Sequence, residues 1–253
     1  VKKFSSRSKR IRGKFKVYGY LMEQGMIRPH LPFTRPFTKD NLEQTLLRYT
    51  TVYIKPDFGK EGKGVYRVVK NGPEFILKYQ SRTKVFTDSH SLYQFVNRRS
   101  SSRLIIQQGI ELERFNNKPY DVRAMLQRKP KGEWVCTGWF ARVGSPGKIV
   151  TNLAQGGKVY SVNKLFQSKG LPPHEQSRRF DYIQRLSLEV ARCLSAKRSG
   201  MHQIGIDWVF DQTGKLWILE VNSTWPVIYP VKKIDQTMYR RMLFFARSYG
   251  RRE

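Results

Sequence analysis

The apolar positions of this chain change period several times, and each change marks an element. Ile183, Leu186, Val190 and Leu194 recur at helical spacing and predict the clearest helix, over 180–194. Leu42, Leu46 and Leu47 predict a helix over 40–49 capped by Asp40, and Leu92, Phe95 and Val96 predict another that starts after Asp88. Weaker amphipathic stretches predict a short helix over 15–24, ended by Gly25, and a terminal helix over 236–249. Apolar runs predict strands at 51–56, 65–69, 74–80 and 103–108, then an antiparallel series at 120–127, 134–143 and 148–151. Residues 31–36, with Pro32 and Pro36, read as extended linker. Runs of strands with few strand–helix–strand alternations make the class α+β. No internal repeat is visible.

One strand–turn–strand breaks this pattern with polar residues. Gly205-Ile206-Asp207-Trp208-Val209-Phe210 and Leu216-Trp217-Ile218-Leu219-Glu220-Val221-Asn222 flank the turn-rich Asp211-Gln212-Thr213-Gly214-Lys215. With 212–215 as the loop, Asp211 pairs with Leu216 and Asp207 lies opposite Glu220. Asn222 then shares the face of Glu220, because side chains alternate along a strand. Like charges directly opposite each other destabilise a sheet. A divalent cation would remove that cost, and two carboxylates with an amide oxygen suit Mg²⁺ held jointly with phosphates. A solvated hairpin face is the rival reading, and the apolar neighbours argue against it.

Other segments carry candidate chemistry. Strands at 51–56 and 65–69 flank a loop containing Gly59, Gly62 and Gly64. Such glycines let backbone N–H groups approach a phosphate closely, and Lys55 at the strand end would pair with one. The loop leads into a strand and lacks the Walker spacing. Taken alone, it also reads as a hairpin loop with solvated lysines. Arg142 precedes a segment holding Asn152, Gly156 and Gly157. An arginine there would clamp a transferring phosphoryl group, or else be a surface residue beside a turn. Asp121 and Arg123 share one strand face, as a structural ion pair or as part of a site. His30, His90, His174 and His202 show no ligand spacing, and a structural role is expected for each.

Composition narrows the partners. The chain has 253 residues, 39% of them hydrophobic, and a formal charge of +29. That hydrophobic content supports a packed core. The charge points to an acidic partner, whether peptide, nucleic acid, anionic polymer or membrane surface. The basic residues concentrate at the N-terminus, where residues 1–16 hold eight lysines and arginines and no acid. No apolar run approaches the roughly 20 residues of a membrane span. Cys136 and Cys193 show no metal spacing and no disulfide framework, so a reducing cytoplasmic setting is the default expectation.

Taken in order, these pieces resemble the ATP-grasp superfamily. Tyr53-Ile54-Lys55-Pro56 with Gly59, Gly62 and Gly64 looks like its phosphate-covering hairpin, and Ile105-Ile106-Gln107-Gln108-Gly109-Ile110 like the strand whose end contacts adenine. Asp121-Val122-Arg123, and Thr151-Asn152-Leu153 with Gly156-Gly157, look like RimK-type glutamate ligases. Asp207 and Leu219-Glu220-Val221-Asn222 match the family's metal residues. The wording is most similar to the YheC/YheD-like group, associated with endospore-forming bacteria.

The resemblance implies two α+β lobes gripping ATP, here preceded by a short basic arm rather than a large pre-grasp domain. The implied division is an arm and short helix at 1–36, a small lobe at 37–106 and a large lobe at 107–253. It implies ATP and Mg²⁺, with Asp207, Glu220 and Asn222 on the metal. Lys14, Lys55 and the loop glycines would hold phosphates. Gln107, Gln108, Gly109 and Ile110 would serve the adenine side, and Asp121, Arg123 and Asn152 would complete the nucleotide site. Arg142 and Lys55 would act in catalysis. Lys78 is a further candidate small-lobe lysine. Gln108 stands where many relatives have Glu.

The reaction implied is carboxylate–amine ligation through an acylphosphate. Its partners would be an acidic peptide, carrier protein or other anionic acceptor, plus an amine such as an amino acid. The expected setting is cytoplasmic and spore-associated. The alternatives are an ATP-grasp kinase and a non-catalytic basic protein that binds nucleic acid or anionic polymer in spores.

Overall fold

In a computed structural model, residues 8–59, 62–144 and 157–251 are described. The chain enters through helix α1 (Lys14–Met22) and strand β1 (Thr34–Pro36), then α2 (Lys39–Arg48). Strands β2 (Thr51–Pro56), β3 (Tyr66–Asn71), β4 (Glu74–Tyr79) and β5 (Arg82–Phe86) follow, with α3 (Ser89–Asn97) and β6 (Leu104–Gln108). These strands form an antiparallel sheet in the order β1-β6-β2-β3-β4-β5. The alternation of β2 sets its faces. Val52 and Ile54 are buried against Leu42 and Leu46 of α2 and Leu92 and Val96 of α3. Lys55, one residue on, takes the opposite face, as does Gln107 beside Ile106 on β6.

The second sheet is built from β7 (Arg114–Phe115), β8 (Lys118–Gln127), β9 (Val135–Val143), β10 (Lys158–Tyr160), β11 (Gln203–Phe210) and β12 (Leu216–Asn222). Its order is β10-β9-β8-β11-β12, with β7 paired to β8. Helices α4 (Val162–Ser168) and α5 (Pro173–Lys197) supply Leu165, Phe166, Ile183, Leu186, Val190 and Leu194 to the main core, together with Val17 and Leu21 of α1. From β8, Tyr120, Val122, Ala124 and Leu126 enter the same core, and from β11 Ile204, Ile206, Trp208 and Phe210. Trp208 is fully buried, with Nε1 donating to Ser187 Oγ at 2.8 Å. Burying a side chain of this kind is worth about 1.5–3 kcal/mol. The other face carries Asp121, Arg123 and Asp207 at one end. At the other end it packs Met125 and Phe140 against Tyr239 and Met242 of α6 (Gln236–Ser248).

The α+β class expected from the pattern is the class found, and the strand at 51–56 matches β2 residue for residue. Several expectations are corrected. The linker at 31–36 contains β1, whose Thr34, Arg35 and Pro36 pair with β6. The break expected after residue 106 falls inside β6. Thr38, not Asp40, caps α2, accepting a hydrogen bond from Asn41 N at 3.1 Å, and Leu47 is exposed. The helix at 180–194 extends over Pro173–Lys197, its first turn prepared by Pro173. Asp88 and Asp235 each cap a helix by accepting a bond of 2.8 Å from Ser91 N and Met238 N. The strand expected at 148–151, with Asn152, lies outside the described residues. Among the described residues, no helix is long and apolar enough to cross a membrane.

Candidate active site

The β11–β12 hairpin places its polar residues by an irregularity. Phe210 pairs with Leu216, Val209 with Trp217 and Trp208 with Ile218, so the loop is one residue longer than the four expected from the sequence. A bulge between Asp207 and Trp208 then shifts the register, and Asp207 meets Glu220 after all. The bulge also changes the phase of β12. Leu216 and Ile218 enter the main core, but beyond the bulge it is Val221 that packs on that core. Glu220 and Asn222 are thereby turned to the face of Asp207. An uninterrupted strand would have put Leu216, Ile218, Glu220 and Asn222 all on one side.

Strand order assembles the rest. Asp207 lies opposite Arg123 on β8, and Asp121 lies opposite Arg142 on β9. Arg123 grips Asp207 with two hydrogen bonds, one from Nε and one from Nη2 at 2.9 Å. Arg142 Nη2 lies 2.8 Å from Asp207 Oδ2, and its Nε donates to the buried Asp121 at 2.7 Å. Asn222 Nδ2 donates to Asp207 Oδ2 at 3.2 Å. Burial alone would raise the Asp207 pKa, but the two guanidinium charges and their hydrogen bonds outweigh it and hold the carboxyl below the ordinary range. For Arg142, burial pulls toward the neutral form, and the Asp121 and Asp207 charges overcome it and raise its pKa.

Two lysines face this cluster. Lys14 Nζ donates to Gly59 O at 2.9 Å and stands 3.4 Å from Glu220 Oε1, so it links the glycine loop to β12. Lys55 Nζ donates to Gln107 Oε1 at 2.8 Å, and Gln107 Nε2 donates to Thr34 Oγ1 at 2.9 Å. Burial pushes the Lys55 ammonium down to about 8, opposed by Glu220, assisted by Lys14 and opposed again by Asp207. Between the two sheets lies a cleft of about 40 Å³ whose walls include Lys14, Thr34, Lys55, Gln107 and Glu220.

The other expected residues fall as follows. Gly62 and Gly64 take φ of +68° and +69°, the left-handed conformation that favours glycine. Gly59 and Gly64 lie against Pro56 beside an open depression of about 410 Å³ that also touches Lys63, Arg99 and Ser100–Ser102. Gln108 accepts from Phe33 N at 3.2 Å and donates its own N–H to Phe33 O at 2.8 Å, which ties it to the segment before β1. Gly109 N donates to Thr51 O at 2.8 Å, and a Cβ there would stand 2.7 Å from that oxygen, so only glycine fits. Ile110 is half-buried beyond the end of β6, and Lys78 is exposed on β4. His30 and His202 are structural: His30 Nδ1 lies 2.7 Å from Leu216 O, and His202 stacks on Tyr249.

Two residues of the site were not expected from the sequence: Thr34, whose Oγ1 accepts from Gln107 and donates to Pro32 O at 2.8 Å, and Asp57. The buried Asp57 accepts from Phe15 N at 2.8 Å through Oδ1, and from Lys14 N at 3.1 Å through its carbonyl. It therefore fixes the start of α1 and the position of Lys14. Its place directly after Lys55-Pro56 was the available signal.

Asp207, Glu220 and Asn222 together offer two carboxylates and an amide, an all-oxygen set that fits Mg²⁺ shared with phosphates. Like-charge repulsion, expected from the sequence to call for that metal, is already relieved in the protein: Arg123 and Arg142 compensate Asp207, and Lys14 compensates Glu220. A cation would share or replace those arginine contacts.

The family described as YheC/D-like ATP-grasp matches residues 4–249. The endospore coat-associated protein YheD of Bacillus subtilis (strain 168) is 31% identical over 185 residues, spanning 69% of this chain and 39% of that protein. The endospore coat-associated protein YheC of the same organism is 22% identical over 215 residues, 83% of this chain and 59% of that one. The chain thus spans about half the length of these relatives. Among solved structures, N5-carboxyaminoimidazole synthetase from Staphylococcus aureus, complexed with ADP, superposes with a TM-score of 0.55 at 9% identity, over 96% of this chain and 52% of that one. The ATP-grasp ligase PsnB, complexed with minimal precursor, Mg and ADP, gives 0.51 at 12%, over 94% and 59%. The C-terminal domain of Pby1 from K. lactis, an ATP-grasp enzyme, gives 0.54 at 12%, over 91% and 69%. The shared fold is ATP-grasp, as the sequence motifs implied.

Proposed function

Because the chain belongs to the YheC/D-like ATP-grasp family, we propose that it is an ATP-dependent carboxylate–amine ligase acting on an acidic peptide or other anionic acceptor. The observation that carries this reading is that Lys14, Lys55 and Glu220 line one cleft, with Lys14 Nζ 3.4 Å from Glu220, while Asp207 with Arg142 and Asn222 lies on the same sheet face as Glu220. Cations on one side and oxygen ligands on the other are what a triphosphate with its metal requires.

In this reading ATP lies between the sheets, its phosphates on Lys14, Lys55 and the glycine loop and its base toward Gln107, Gln108, Gly109 and Ile110. Asp121, Arg123 and Asn152 complete the nucleotide site. Mg²⁺, held by Asp207, Glu220 and Asn222, would neutralise phosphate charge. A substrate carboxylate oxygen attacks the γ-phosphorus, the bond to the β-phosphate oxygen breaks, and ADP leaves. The amine nitrogen then attacks the acyl carbon, phosphate departs, and the amine's proton passes to solvent. Arg142, rigidly held by Asp121, is placed to stabilise charge on the transferring phosphoryl group or the tetrahedral intermediate. Lys55, its pKa lowered to about 8, keeps a proton for the phosphate at neutral pH. The net charge of +29 favours capture of an acidic acceptor, with a rate that falls as salt rises.

The test uses an acidic peptide carrying ¹⁸O in its carboxylates, with ATP, Mg²⁺ and a mixture of amino acids, followed by mass spectrometry. An amide product with ¹⁸O transferred to inorganic phosphate supports the acylphosphate route. A stable phosphorylated product would make the protein a kinase, and ATP consumption without ¹⁸O transfer would overturn the ligase reading.

A further inference from the structure

Beyond Asn222 the chain does something that the phosphate chemistry does not require. Over 225–229 burial alternates: Pro226 and Ile228 are buried, while Trp225, Val227 and Tyr229 are 46%, 54% and 56% exposed. Single exposed apolar residues are normal on a surface, whereas three within five residues single this segment out as a candidate contact site. Trp225 also holds φ of +48°, a left-handed conformation unfavourable for a bulky side chain.

This strained segment is firmly anchored. The buried Arg251 donates Nη1 to Pro226 O at 3.0 Å and to Gln203 Oε1 at 2.7 Å, and its guanidinium lies 5.2 Å from the Trp225 ring centre. Pro226 sits directly on the face of β11 that carries the site: a Cβ on Gly205 would lie 2.8 Å from Pro226 Cβ and 3.1 Å from Arg123 Nη1. Basic residues flank both ends. Ile11 N donates to Ser223 Oγ and Ile11 O accepts from it, each at 3.1 Å, which sets the exposed Arg10 and Arg12 near one end. The exposed Lys232 and Lys233 follow at the other.

We propose that Trp225, Val227 and Tyr229 form a docking strip for the acceptor, an acidic polypeptide segment. Its apolar side chains seat on the strip while its carboxylates meet Arg10, Arg12, Lys232 and Lys233, which brings one carboxylate toward Asn222 and Arg142. This rests on the ligase reading above. Trp225 and Val227, with Tyr229 at the start of a short 3-10 helix (Tyr229–Lys233), offer apolar side-chain contacts to a peptide rather than a strand edge. Val227 at its centre has no ring on which a nucleobase would stack, and a second copy of a chain with charge +29 would be repelled.

The probe is a fluorescein-labelled decapeptide of alternating Glu and Val, followed by fluorescence anisotropy on the full chain. Trp225→Gly removes the ring and leaves a residue for which φ of +48° costs nothing, so the variant keeps its fold, as a thermal melt would verify. Tyr229→Ser is the second variant. The expected result is a loss of affinity of about tenfold for Trp225→Gly, the scale of an aromatic anchor, and a smaller loss for Tyr229→Ser. Binding of a ten-residue oligoglutamate should change less than about twofold, because the charges remain. Equal decapeptide affinity in wild type and folded Trp225→Gly would overturn the proposal. So would a greater loss for a ten-nucleotide oligouridylate, or a dimer that dissociates in Trp225→Gly. Calorimetry with ATP separates the two claims. Trp225-dependent peptide binding by a wild type that fails to bind ATP would sink the ligase reading and leave the strip. ATP binding with Trp225-independent peptide binding would sink the strip alone.

Discussion

Replacing Asp207 with Asn separates the structural job of this carboxylate from its nucleotide chemistry. Asp207 is buried and compensates two guanidinium groups, Arg123 through two hydrogen bonds and Arg142 through one contact at 2.8 Å. Arg142 retains Asp121 when the charge is removed, but the buried Arg123 loses its bidentate partner. Breaking a buried pair in this way costs about 3–5 kcal/mol. For a chain of this size that corresponds to a fall in Tm of roughly 6–20 °C. Urea unfolding followed by tryptophan fluorescence would measure it as a lower midpoint with an unchanged slope. The double variant Arg123→Met, Asp207→Leu removes both charges and should recover to within about 1 kcal/mol of wild type. If Asp207→Asn unfolds at the wild-type midpoint, or if the double variant is as unstable as the single one, the buried pair is not holding the sheet as argued. The pH dependence has a defined sign. The folded pKa of Asp207 is lowered, so its stabilisation is present above the ordinary carboxylate pKa and is lost as pH falls through the folded value.

Three further outcomes are expected. With the Lys55 pKa near 8, ATP binding at about pH 8.5 should take up protons, visible as a buffer-dependent heat, and affinity should weaken above that pH; Lys55→Arg should abolish the uptake, and a wild type without uptake would refute the assignment. Lys55→Ala should weaken ATP more than adenosine in parallel titrations, and equal losses would remove its phosphate role. Gly109→Ala drives a Cβ to 2.7 Å from the Thr51 backbone, whereas Gly138→Ala meets the flexible Met238 and Met242 side chains. The first should cost about 1–3 kcal/mol in urea unfolding and the second less, and the reverse order would contradict the packing described.

Much of this architecture was legible, for identifiable reasons. The long amphipathic helix and the strands of apolar alternation show their periods directly, and five motifs in order pointed to the ATP-grasp family to which the chain belongs. What escaped is what lacks a period. Strand β1 is three residues ending in Pro36, at the edge of its sheet, and β5 is an edge strand with Arg82, Thr83 and Lys84 exposed. Such strands are specified by their neighbours rather than by burial. The opposition of Asp207 and Glu220 was foreseen through the wrong loop length, and the bulge restored it. The partners of Asp207 were hidden for another reason. Arg123 and Arg142 reach it only because β8 lies between β9 and β11, and strand order is not written in local sequence.

The most direct test of the central claim is calorimetric titration of ATP, with and without Mg²⁺, into the wild type and into Glu220→Ala. Glu220 is half-exposed, with Lys14 at 3.4 Å, so its removal should leave the fold intact. The wild type should bind ATP in a metal-dependent way, and Glu220→Ala should lose that dependence. Metal-dependent binding that survives in the variant, or a folded wild type that binds no ATP, would contradict the proposed ATP site.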